Sequence, residues 1–153
     1  MTFWFRLVNK NINHILPGMR SSITQKHDFG CGVACVSFAT GITYEQSVEK
    51  LGRDKAATVG FLCRELVAGL DDLGLNYETQ YVTQKIKQRI YNEGVIVFIK
   101  RTKRYPFGHY LIRHDGLWMD SWINLPFNKN LQQARSGFRR RLPGKPIYAI
   151  LPL

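Results

Sequence analysis

The sequence predicts an α+β fold in which helices come first and an antiparallel sheet follows. Three observations lead there. Between residues 31 and 73 apolar positions recur at helical spacing, and each such segment is closed by a glycine. From residue 95 onward the apolar runs become short, β-branched and aromatic. Between two of these runs stands Asp115-Gly116, a dipeptide that favours a tight hairpin turn. A length of 153 residues suits one domain, and an apolar fraction of 44 % is enough to build its core.

Taken in order, CGVACVSFAT (31–40) is small and apolar and reads as a buried helix ended by Gly41. Thr43 then opens a Thr-x-x-Gln capping box, and a short amphipathic helix is expected to Leu51, stopped by Gly52. Residues 57–73 place Phe61, Leu62, Leu66, Leu70 and Leu73 on one helical face, with Gly74 as the stop. NYETQYV (76–82) alternates like a strand, and Thr83 can cap a basic surface helix, TQKIKQRIYNE, that runs to Gly94. VIVFIK (95–100) reads as a central strand, HYLIRH (109–114) and LWMDSW (117–122) as the arms of the hairpin, and IYAILPL as a last strand. Residues 1–24 and 124–143 read as loosely structured. In the first of these, Trp4 and Phe5 are expected to anchor an arm against the domain.

Lysine and arginine total 22 against 11 acidic residues, a formal charge of +11. Such a surface favours acidic partners: an acidic protein, nucleic acid or an anionic membrane face. The denser groups are Lys85/Lys87/Arg89, Lys100/Arg101/Lys103/Arg104 and Arg139-Arg140-Arg141, none interleaved with aromatic residues as in a nucleic-acid motif. Three cysteines make an odd number, which argues against a disulfide framework and for a reducing, cytoplasmic setting. A single Cys-x3-Cys pair does not make a zinc site, and no cofactor is expected. No apolar run reaches the roughly 18–20 residues that span a bilayer, so no transmembrane segment is expected.

The chemistry centres on Cys31. A thiol becomes a nucleophile when its anion is stabilised by a helix N-terminus or a neighbouring imidazolium. Cys31 begins the first helix, between Gly30 and Gly32, which allow close backbone approach. Cys35, one turn further, and Cys63, on the apolar side of a later helix, are expected in the core. Taken alone, a cysteine at such a place is more often packing than catalysis.

The hairpin supplies partners. If Asp115-Gly116 is a two-residue turn, His114 faces Leu117, Leu111 faces Asp120 and His109 faces Trp122. Side-chain alternation then puts His109 and Asp120 on one face as diagonal neighbours, with Cβ atoms roughly 7 Å apart or less. A carboxylate so placed can fix the tautomer of the imidazole. His114 points to the other face, Asp115 is used by the turn, and Asn124 is a second candidate for the orienting role. Gln25, one loop ahead of Cys31, and the Cys31 backbone N–H would supply two donors to an oxyanion. His27 and Asp28 read as turn formers, while Tyr110, Trp118 and Trp122 are candidates for the wall of a substrate channel.

The order Gln25…Cys31…His109…Asp120 resembles the papain-like cysteine peptidases, and looks most like the bacteriocin-processing peptidases that remove double-glycine leader peptides. The residues carrying the resemblance are Gln25 followed by GCGVAC (30–35), GITYE (41–45), HYLI (109–112) and Asp120 on the following strand. They cover residues 25–153, leaving 1–24 as an N-terminal arm. Two positions depart from the family pattern: Gly30 stands where it has Asp, and Ser121 follows Asp120 where it has Pro. The family's transporter spans and P-loop are also absent from these residues.

The resemblance implies a papain-like fold, with a helical half packed on a C-terminal antiparallel sheet. It further implies peptide-bond hydrolysis through an acyl-enzyme, with Cys31 as nucleophile, His109 as proton carrier, Asp120 as orienter and Gln25 in the oxyanion site. The expected partner is then a peptide or protein substrate. Deamidation or acyl transfer by a toxin or effector domain, action on nucleic acid, and non-catalytic protein binding are the alternatives.

Overall fold

The computed structural model describes residues 20–153. Among these residues four α-helices precede all six strands of one sheet. They are α1 (Cys31–Thr40), α2 (Tyr44–Leu51), α3 (Arg53–Thr58) and α4 (Cys63–Asp72). The strands are β1 (Tyr77–Tyr81), β2 (Ile96–Ile99), β3 (His109–His114), β4 (Leu117–Asp120), β5 (Gly137–Arg139) and β6 (Pro146–Pro152), in the spatial order β1-β6-β2-β3-β4-β5. Every neighbouring pair is antiparallel. The chain is therefore α+β. Its expected arm, with Trp4 and Phe5, lies outside the described residues apart from 20–24. Among the described residues no helix is long and apolar enough to cross a membrane.

The sheet separates two cores because successive side chains of a strand point to opposite faces. On one face Ile96, Tyr110, Ile112, Met119 and Ile150 pack against α1, α2 and α4 through Val33, Val36, Phe38, Val48, Leu66 and Leu70. On the other, Val97, Ile99, Leu111, Trp118 and Ala149 are covered by Ile86, Ile90 and Tyr105. α1 is buried along almost its whole length, which explains why its sequence is apolar all round rather than striped. α2 carries the expected capping box: Thr43 Oγ1 accepts from the Gln46 N–H, and Gln46 Oε1 accepts from the Thr43 N–H.

The hairpin has the predicted register, with His114 opposite Leu117, Arg113 opposite Trp118 and Ile112 opposite Met119. Asp115 (φ 50°) and Gly116 (φ 79°) both lie in the left-handed region, which is what a type I′ turn requires.

Three expectations are corrected. Residues 57–73 are not one helix, because α3 ends at Thr58 and α4 begins at Cys63. Gly60, at φ 83°, turns the chain, and its N–H returns to Lys55 O; Glu65 then accepts from the Leu62 N–H to start the next helix. Residues 83–94 form successive turns and a single 3₁₀ turn, Arg89–Tyr91, in place of the basic helix. Only Ile86 and Ile90 are buried there, and so short a segment gains too little from packing to offset helix nucleation. Finally, residues 124–143, expected to be loose, contain β5, which pairs with β4 and extends the sheet beyond the hairpin.

Candidate active site

Cys31, His109 and Asp120 each stand at the end of an element: first in α1, first in β3 and last in β4. These ends converge because α1 packs along β3 and the hairpin register fixes β4 beside it. They meet at an open cavity of about 1140 Å³, lined by Gln25, Cys31 and His109, with Asp120 fully buried behind the imidazole.

The His109–Asp120 pair is made as the register argument expects. His109 Nε2 lies 2.7 Å from Asp120 Oδ1, and both residues are buried. Asp120 is also held by the Trp122 N–H on Oδ1 at 3.0 Å and by an Arg139 guanidinium N–H on Oδ2 at 3.1 Å. Burial opposes charge on the imidazole, but the Asp120 carboxylate and, more weakly, Cys31 outweigh it, and the His109 pKa is pushed up to about 10. Burial likewise opposes charge on Asp120. The His109 charge and hydrogen bond, the Trp122 N–H and Arg139 together outweigh it and hold the carboxyl below its ordinary range. Tyr105 stacks on the imidazole, with ring centroids 5.3 Å apart.

Asp120 occupies Nε2, so Nδ1 is the nitrogen left for the thiol. Cys31 is half-buried and faces the same cavity. Its sulfur lies near enough to the ring to favour the imidazolium. No side chain caps α1 and no acid sits in its first turn. The positive end of the helix is therefore left unneutralised beside Cys31.

Gln25 is buried to 2 % exposure, and its amide is held from both sides. Oε1 accepts from Ser121 Oγ at 2.7 Å, while Nε2 donates to the carbonyls of His27 (2.9 Å) and Asp28 (3.2 Å). An oxyanion bound beside Cys31 would take over one of these N–H groups from its loop carbonyl. Ser121 thus gives the position after Asp120 a use that proline could not, because its hydroxyl fixes Gln25; its carbonyl, as any residue's could, also accepts from the Gln25 backbone N–H at 3.2 Å. The other departure has a steric cause. A Cβ at Gly30 would collide with Tyr44 Oη, so that hydroxyl occupies the space an aspartate would need. Tyr44 Oη in turn lies 3.0 Å from His27 Nδ1.

The remaining candidates separate cleanly. Asn124 is spent within its own loop, accepting from the Arg135 N–H and donating to Gln133 O, and does not replace Asp120. His114 bonds Glu93 at 2.6 Å, away from the cavity. Cys35 is fully buried, and burial holds its thiol well above the ordinary value. Cys63 is a correction: it is not a core residue but begins α4 half-buried in the cavity wall, 3.5 Å from Tyr110 Oη. Burial raises its pKa too. Of the three aromatic wall candidates, Tyr110 and Trp122 line the cavity; Trp118 is fully buried in the second core and does not.

Arg139, Tyr105 and Ser121 were not legible as site residues. Arg139 read only as part of a basic triplet, since nothing in the sequence marked β5 as the strand beside Asp120. No protein-family model matches the chain, and no curated protein matches its sequence.

Proposed function

We propose that the protein is a papain-like cysteine peptidase, of the kind that resembles the bacteriocin-processing enzymes. The observation that carries this reading is the convergence on one open cavity of a helix-terminal thiol and a buried imidazole. That imidazole has one nitrogen committed to a carboxylate and the other left for the thiol.

The Cys31 thiolate attacks the substrate carbonyl carbon while His109 already holds the proton on Nδ1. Asp120 holds this imidazolium through Nε2, and the upward shift of His109 reflects that support. The tetrahedral oxyanion is met by the Cys31 N–H and the Gln25 amide. His109 returns the proton to the leaving amine as the C–N bond breaks. It then takes a proton from the water that hydrolyses the thioester. Deamidation or acyl transfer would share the first of these steps.

The test is a covalent trap. An electrophilic peptide ketone should alkylate Cys31 stoichiometrically, leave Cys35 and Cys63 unmodified, and fail on Cys31→Ala and on folded His109→Ala. Mass spectrometry of substrate candidates should then show a backbone cut. Equal labelling of Cys63, or labelling indifferent to His109, overturns the mechanism. A deamidated, uncut product overturns the assignment as a peptidase.

A further inference from the structure

The cavity wall carries both apolar and cationic side chains. Residues of the helical half supply Phe29, Val59, Phe61 and Leu62, and Phe107 closes against Phe29 edge-on with centroids 5.0 Å apart. Three of these apolar side chains remain open to solvent: Val59 at 70 %, Leu62 at 52 % and Phe107 at 62 % exposure. Large apolar groups so exposed around a concavity commonly mark a surface meant to be covered.

The sheet half and its loops supply Lys100, Arg101 and Lys129, all exposed, and Arg64 stands at the start of α4. Among the described residues none of these four makes an ion pair. The wall also holds Lys55, but Glu65 neutralises it. The acid set against the four cations is Asp28. Unneutralised charge beside apolar, low-dielectric walls focuses the local potential, so the cavity attracts anions more strongly than a flat basic surface would.

Building on the peptidase reading, we propose that the substrate is an acidic peptide segment carrying at least one large apolar side chain. Its Asp or Glu residues meet Lys100, Arg101 and Lys129, and its apolar group covers Val59, Leu62 and Phe107. A polypeptide fits this wall better than nucleic acid does. The exposed apolar side chains of the wall are aliphatic as well as aromatic, and the cations line the same cavity as the Cys31 thiol.

The experiment compares two electrophilic peptide ketones, identical in warhead and in a leucine near it, one flanked by Glu and the other by Lys. Each is scored by the rate of Cys31 alkylation, in the wild type and in the Lys100→Glu/Arg101→Glu/Lys129→Glu variant. Circular dichroism and melting check that variant's fold. The Glu peptide should react about tenfold faster with the wild type, the combined effect of three exposed charge pairs. Added salt should narrow the gap, and the variant should abolish or invert it.

Replacing the leucine by serine should slow the Glu peptide in the wild type but have little effect in Leu62→Ser/Phe107→Ser. Equal rates for the two flanks, or faster reaction of the Lys peptide, overturn the proposal while leaving the peptidase standing. If neither ketone reaches Cys31 while Cys31 is otherwise accessible, the peptidase reading fails and takes this inference with it. A single-stranded RNA oligomer that protects Cys31 better than an equally charged poly-glutamate overturns the proposal in favour of nucleic acid.

Discussion

Strand β3 carries a buried histidine at each end, and each one meets a carboxylate. His109 is 2 % exposed and lies 2.7 Å from Asp120; His114 is 6 % exposed and lies 2.6 Å from Glu93. By distance, and by the burial of the imidazoles, the two pairs are nearly alike. They differ in what surrounds them. Nε2 of His114 accepts the Arg20 backbone N–H, so both of its nitrogens are used and neither faces a cavity. The Glu93 side chain is 60 % exposed and shared with the Asp115 N–H of the turn, whereas Asp120 is fully buried. A histidine–carboxylate pair is therefore not in itself a site. Reactivity needs a nitrogen left over, a space for substrate and a second group to exchange a proton with, and only the His109 end has all three.

The largest expected effect separates the two ends directly. His109→Ala should lower kcat/KM by about 10⁴-fold or more, as loss of a proton carrier does. His114→Gln should leave kcat/KM within a few-fold and instead cost about 1–3 kcal/mol of stability, read from urea unfolding. A folded His114→Gln protein with no turnover would erase the contrast.

A smaller effect sharpens it. The Asp120 charge keeps His109 protonated until pH rises through about 10. Asp120→Asn retains an oxygen for Nε2 but removes the charge. The alkaline limb of the pH–rate profile should then move down by about one unit or more. Glu93→Gln should leave that limb where it is. An unmoved limb in Asp120→Asn would mean that Asp120 does not set the imidazole's protonation.

The smallest effect is on stability against pH. Because folding raises the pKa of His109, its contribution is complete below the unfolded imidazole value and is lost as pH rises through about 10. Asp120 and Glu93 are both depressed, so their contributions are present above the unfolded carboxylate value and fade as pH falls through the folded ones. Asp120→Asn should flatten the alkaline decline in urea midpoint. Glu93→Gln, acting on a largely solvated pair, should change only the acid side, by about 0.2–1 kcal/mol.

The His109 end could be read in advance because a two-residue turn propagates its register without ambiguity: once Asp115-Gly116 is the turn, the diagonal of His109 and Asp120 follows. The helix-start position of Cys31 was equally legible, since an apolar ten-residue segment bounded by glycines has few alternatives. What failed were segments whose conformation is decided by distant packing. Gly60 broke a helix that apolar spacing suggested, and in doing so exposed Leu62 and brought Cys63 to the cavity wall. β5 carries only three residues and no alternating pattern, so Arg139 could not be placed beside Asp120 from spacing alone. Gln25 was found as a residue, but its tether to Ser121 joins positions that no local pattern connects.

That tether bridges 96 positions of the chain. It has a consequence for biogenesis. Contacts so remote in sequence close late, since the intervening loop must first give up its entropy. A ribosome-bound or half-folded chain would present Cys31 without its imidazole or its amide clamp. Any reactivity of Cys31 that depends on these partners would therefore appear only once the β3–β4 hairpin has docked.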